Sequence, residues 1–191
     1  MSQAIGLKVA PFEGYGSRKS YFFGDPILPI SLVDKFDDET FFFGMINLKE
    51  IASLDTEGKL PHEGFLYLFL HLLDSFEDEC PSHFAPVFFY SKVEPTHVVD
   101  DFNEVFLETF PNIGTPKGMA FSAVPEDAMG TKLLGVPYDW NYENKPKELL
   151  LTISHLDEEL DFCAYIDGLS YVFFGPKENP FGGATMFLER S

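Results

Sequence analysis

Cysteine and cationic residues are scarce in this chain. Two cysteines, Cys80 and Cys163, among 191 residues are too few for a disulfide scaffold, so idle or buried thiols in a reducing compartment are expected. Lys and Arg together number 13 against 31 Asp and Glu, a formal net charge of −18. The arginines are Arg18 and Arg190 alone. A phosphate backbone is bound through cations that displace its counterions, so nucleic acid is excluded as a partner. Long apolar runs are absent too. The longest, Phe65 to Leu73, is interrupted by His71 and falls far short of the roughly 20 residues a spanning helix needs. Met1 to Lys8 has neither the basic nor the apolar region of a signal peptide. The expectation is a cytoplasmic protein with no membrane partner.

Catalytic signatures are equally thin. There is no Gly-x-Ser-x-Gly elbow, and neither cysteine has cationic neighbours to lower a thiol pKa. Gly182-Gly183 stands without the Lys-Ser/Thr of a phosphate loop. His155, Asp157, Glu159 and Cys163 offer ligand types, but not at the spacings of a zinc site. Asp55-Thr56-Glu57-Gly58 echoes only part of a calcium loop and reads as a turn. His62 reads as a solvated loop residue, His71 as a strand-end residue with one satisfied nitrogen, and His83 and His97 as loop residues beside prolines. No catalytic, cofactor-binding or metal residue is assigned, no cofactor is implied, and the chain is read as a non-enzyme.

What is abundant is phenylalanine, 22 residues in a chain that is 45% hydrophobic. That excludes disorder and supplies one domain-sized core. Nine strand-length segments rich in Phe, Tyr and Val lie between Gly, Pro and Asp: 20–23, 40–46, 65–71, 87–92, 119–124, 148–153, 161–166, 169–174 and 184–189. The fold class expected is α+β, mainly β, with a few short helices. One helix is expected to open at Asp101, with Phe102, Val105, Phe106 and Phe110 on one face. Asn47 to Glu50 has cap geometry for a turn or two. Residues 1–19, poor in acid, read as an arm or edge.

Self-similarity organises the rest. Gly24-Asp25-Pro26 recurs as Gly135-Val136-Pro137, Phe42 to Leu48 parallels Leu150 to Leu156, and Gly64-Phe65-Leu66-Tyr67 matches Gly168-Leu169-Ser170-Tyr171. Pro86 to Phe89 then matches Ala184 to Phe187. The expected organisation is one domain: an arm at 1–19, a first repeat at 20–92, a connector with one short helix at 93–130, and a second repeat at 131–191. With Leu60-Pro61-His62-Glu63-Gly64-Phe65-Leu66-Tyr67-Leu68-Phe69 and Asp167 to Phe174, these segments resemble the YwqG-like family of bacterial proteins, a domain of unknown function. The resemblance implies a duplicated, mainly β core and no established activity. The family's two strand glutamines fall at Met45 and Thr152, which supply no amide.

The remaining signal is acid gathered in loops: Asp37-Asp38-Glu39, Glu77-Asp78-Glu79, Asp100-Asp101 and Asp157-Glu158-Glu159 with Asp161. Aromatics accompany them at Phe36, Phe76, Phe102, Tyr138 and Trp140. A solvated surface explains such runs, and so does complementarity to a basic protein. The functional expectation is a non-enzymatic acidic protein-binding module, most concretely an immunity protein that neutralises a basic bacterial toxin. The free protein is expected to be a monomer or weak dimer. Asp37, Asp38, Glu39, Glu77, Asp78, Glu79, Asp100, Asp101, Asp157 and Glu158 are its candidate partner-binding residues. The alternative is a hydrolase or small-ligand-binding protein with a site between the two repeats.

Overall fold

A computed structural model describes residues 3–73, 84–138, 148–154, 156–157, 160 and 168–189. The protein is mainly β. Strands β1 (Gln3–Ala10), β2 (Tyr21–Phe22), β4 (Thr40–Asn47), β5 (Phe65–Leu72), β6 (Phe84–Ser91), β8 (Lys117–Pro125), β9 (Lys132–Leu133), β10 (Leu149–Ser154), β11 (Leu169–Phe173) and β12 (Thr185–Glu189) form one antiparallel ten-stranded sheet. Their order is β12-β11-β10-β9-β1-β8-β2-β4-β5-β6, and the sheet curls into a nearly closed barrel. Strands β3 (Ile27–Leu28) and β7 (His97–Val98) pair separately.

The structure departs from the sequence expectation at the helices and at the N-terminal segment. The described residues hold only 3₁₀ turns where short helices were expected. The segment opening at Asp101 forms a single turn, Glu104–Phe106. Asp101 has φ 58°, in the left-handed region, whereas an N-cap residue needs extended backbone. Nor is the N-terminal segment an arm or edge. β1 lies inside the sheet, paired along its whole length to β8 and at Ile5 and Gly6 to β9. The strand expected at 161–166 lies outside the described residues.

Alternation builds three layers around β5. Leu66, Leu68 and Leu70 belong to the core cluster that also holds Phe41, Phe43 and Ile46 of β4 and Ile153 and Val172 of β10 and β11. Phe65, Tyr67 and Phe69 point outward into a second cluster with Tyr21, Phe42 and Met45, roofed by Phe12, Tyr15, Phe36 and Phe102. A strand buried on both faces reads as a continuous apolar run, as this one does. The outer layer contains an uncompensated group. Tyr67 is fully buried and its hydroxyl has no hydrogen-bond partner among the described residues. Burial also raises its pKa. Tyr67→Phe is therefore expected to stabilise the protein by about 1 kcal/mol, measured by urea unfolding; a loss of stability would contradict it.

The two meanders, β2-β4-β5-β6 and β9-β10-β11-β12, carry matching hydrogen bonds. Each long strand has a bulge, at Phe43 between Phe42 and Gly44 in β4 and at Leu150 between Leu149 and Leu151 in β10. This matches Phe43 to Leu150, one residue away from the Phe42–Leu150 parallel read from the sequence. The bulged carbonyls accept equivalent amides, Phe23 N to Phe43 O at 3.1 Å and Leu134 N to Leu150 O at 3.0 Å. Phe23 and Leu134 both have positive φ (59° and 62°), as do the glycines that follow them, Gly24 and Gly135 (68° and 86°). A Cβ on Gly135 would also meet Glu126 O at 2.3 Å, so this turn admits no side chain. At the strand exits, Asn47 N donates to Ser20 Oγ at 2.8 Å and Ser154 N to Thr131 Oγ1 at 3.1 Å. The amides of Ser20 and Thr131 donate in turn to Glu50 and Asp157, at 2.7 and 2.6 Å. The first strands cross over: β1 pairs with β9, and β8 pairs with β2. Each meander is thus extended by a strand from the other half of the chain.

Candidate functional site

Phe36 organises an acidic surface among the described residues. Its ring stacks on Phe69 at 3.9 Å and packs edge-on against Phe89 and Phe102, at 5.5 and 5.7 Å. That anchorage brings the 37–39 run to the start of β4 and ties it to the 100–101 run through Phe102. Asp34, Asp37, Asp38, Glu39, Asp100, Asp101 and Glu104 are all exposed. Among the described residues, none of these acids pairs with a Lys or Arg. The field they create is felt at Asp25, which accepts the Phe102 amide at 3.3 Å. Its pKa is raised, mainly by burial and then by Asp100 and Asp101.

The β4–β5 register places Thr40 opposite His71, and this corrects the reading of His71. Both ring nitrogens face carboxylates, Nδ1 towards Asp37 at 3.4 Å and Nε2 towards Glu39 at 3.5 Å. Thr40 Oγ1 donates to Asp37 at 2.7 Å. That bond, followed by the charge of His71, holds the Asp37 pKa below its ordinary value. Asp37, Glu39 and His71 offer ligand atoms within 4.8 Å of one another, the set among the described residues with the chemistry to take a cation. Sequence reasoning sought ligands near His155 and missed this set, which depends on strand register.

The other candidate residues fall elsewhere. Asp157 is half-buried and its carboxylate accepts the Thr131 amide at 2.6 Å, which holds a turn. Glu77, Asp78, Glu79, Glu158, Phe76 and Trp140 lie outside the described residues. Tyr138 is exposed, and its carbonyl accepts the Tyr171 hydroxyl at 3.3 Å. His62 is more than half exposed and its Nε2 lies 3.6 Å from the buried Asp55.

The described residues also line cavities that include none of the acids around Phe36. One, of about 660 Å³, lies between the 58–61 loop of the first half and the 174–181 segment of the second. Leu60, Phe174 and Phe181 line it, with Lys59, Glu148 and Lys177. The second, of about 500 Å³, lies where β4 exits and β5 begins. Its lining includes Arg18, Asn47, Lys49, Glu63, Lys92 and Glu94.

Lys132 is the buried cation of the second half, 1% exposed. Its ammonium donates to Glu126 O at 2.6 Å and Val136 O at 2.9 Å. Burial pushes its pKa down to about 8 against the pull of Asp127 and Glu126. Between pH 8 and 10.5 the unfolded chain then binds a proton that the folded chain has released, so this group makes stability rise with pH across that window. Lys132→Met should abolish that rise, measured as urea midpoints at about pH 7.5 and 9.5; an unchanged slope would show that the ammonium stays charged.

Comparison with protein-family models, with curated proteins and with solved structures finds no match.

Proposed function

We propose that the protein is a non-enzymatic, cytoplasmic binding module whose acidic face docks a basic protein. In its most concrete form it is an immunity protein that occludes the active site of a basic bacterial toxin. The observation that carries this reading is the joining of the 34–39 and 100–104 acids at the Phe36–Phe102 contact, without Lys or Arg partners among the described residues. Unpaired like charge on a surface is a cost to the free protein that an oppositely charged partner relieves. We further propose that the chain is a YwqG-like duplication of two pseudo-equivalent β-rich repeats, 20–92 and 131–191. The paired bulges, the positive-φ turns and the Ser20–Glu50 and Thr131–Asp157 bonds support it.

The test begins with capture of a partner from the source cells at low salt, followed by binding kinetics. The association rate is expected to fall at least about tenfold between roughly 50 and 500 mM salt, with a smaller change in dissociation. An acidic partner, or an association rate indifferent to salt, would overturn the proposal. The cavity of about 660 Å³ between the halves favours the second reading, a small-ligand protein with its site between the repeats.

A further inference from the structure

We propose that the groove of about 500 Å³ at the β4 exit binds a small oxyanion, a carboxylate or phosphate group, through Arg18, Lys49 and Lys92. The proposal is independent of the acidic face. Three of the chain's 13 cations line this one groove, on a body of net charge −18. Two are placed by a single side chain. Asn47 Nδ2 donates to Arg18 O at 3.0 Å, and Asn47 Oδ1 accepts the Lys49 amide at 3.2 Å. Asn47 is itself fixed by its amide bond to Ser20 Oγ at 2.8 Å, and Ser20 by Glu50 at 2.6 Å.

Arg18 is held in the left-handed region, φ 52°, a conformation that costs energy for a residue with a Cβ. Its Nε lies 3.2 Å from Glu94 and donates to Pro95 O at 3.1 Å. Among the described residues its terminal nitrogens make no hydrogen bond, and the exposed Lys49 ammonium makes no salt bridge, though its charge reaches Glu63 and helps to lower that carboxyl's pKa. Lys92 is steadied by Glu63 at 2.9 Å. The groove therefore presents a guanidinium fork and an ammonium with unused donors, the groups that recognise planar or tetrahedral oxyanions.

The second half of the chain supplies an internal control. By the matched bonds of Ser20 and Thr131, and of Asn47 and Ser154, the positions equivalent to Arg18 and Lys49 are Met129 and Leu156. The same turn forms there, with Leu156 N donating to Ser154 Oγ at 3.2 Å and Thr131 N to Asp157 at 2.6 Å. The turn thus needs no cation, and the charges at 18 and 49 are free to serve a ligand.

The test titrates the full chain separately with inorganic phosphate and with acetate, followed by amide NMR shifts and calorimetry. Saturable shifts at Arg18, Lys49 and Gly64 are expected with at least one ion; the responding ion identifies the group as phosphate, carboxylate or either. Lys49→Leu copies the equivalent residue of the other half, and Arg18→Gly retains the left-handed backbone. Each should weaken binding at least about tenfold, the loss of one charge-assisted bond, with the melting temperature unchanged for Lys49→Leu and modestly lowered for Arg18→Gly, which also gives up the bond to Pro95. Absence of saturation with both ions, or binding that survives both substitutions, would overturn the proposal.

Discussion

Replacing Asn103 with leucine is expected to lower the unfolding free energy by about 3 kcal/mol, through loss of buried hydrogen bonds at near-constant volume. Asn103 is 3% exposed and its amide does the work of a missing strand. β2 covers β4 only at Gly44 and Met45, which leaves the β4 backbone before the bulge without a partner on that side. Asn103 fills the gap: its Oδ1 accepts Phe42 N at 2.8 Å and its Nδ2 donates to Phe42 O at 3.2 Å. The same Nδ2 lies 3.2 Å from Gly24 O and 3.4 Å from Ile113 O. Ile113 O also accepts Gly24 N at 2.8 Å, so the main cost falls on the two Phe42 groups and on Gly24 O. Asn103→Asp keeps the acceptor, loses the donors and buries a charge, and should cost more than leucine at neutral pH. Urea unfolding followed by circular dichroism gives both values. A cost below about 1 kcal/mol for leucine would mean that water replaces the amide. Because Asn103 also pins the chain just after Asp100 and Asp101, its loss should loosen one side of the acidic face.

The mainly β character was legible because β4, β5 and β11 carry their own evidence, aromatic runs closed off by glycine or acid. β1 was not legible. Gly6 interrupts its apolar pattern, and a Cβ there would meet Val124 Cγ1 at 2.8 Å, so the glycine is set by a strand far along the chain. The segment after Asp101 shows helical periodicity, yet its Asn103 side chain is spent on β4 and Val105 is 68% exposed. Tertiary demand overrides local pattern there. The acidic runs could be read one by one. Their convergence could not, since it rests on the Phe36–Phe102 contact, which no spacing encodes. The grouping of Asp37, Glu39 and His71 needs the Thr40–His71 register. The oxyanion groove left one local trace, the cap pattern at Asn47, whose reach to the carbonyl of Arg18 is again a tertiary fact.

Charge reversal on the acidic face is expected to produce the largest functional effect. Asp37→Lys, Asp38→Lys and Glu39→Lys together should slow association with a basic partner by about 10- to 100-fold at roughly 50 mM salt, because steering depends on the summed surface potential. Asp100→Lys with Asp101→Lys should act in the same direction, since the Phe36–Phe102 contact joins the two runs. Reversal at the exposed Asp127 and Glu178, which lie outside that face, should change the rate much less, and this asymmetry separates docking from net charge alone. The triple variant also loses the Thr40–Asp37 hydrogen bond, so its stability should fall by about 1 kcal/mol, a change that leaves the protein folded. A fourth measurement removes that complication: Asp38→Lys alone touches neither Thr40 nor His71 and should still slow association severalfold. Added salt should erase the difference between variant and parent, because screening acts within about 8–10 Å. If the face and the remote reversals slow binding equally, charge acts only in bulk. If neither slows it, the partner docks elsewhere, and the cavity between the halves becomes the site to test.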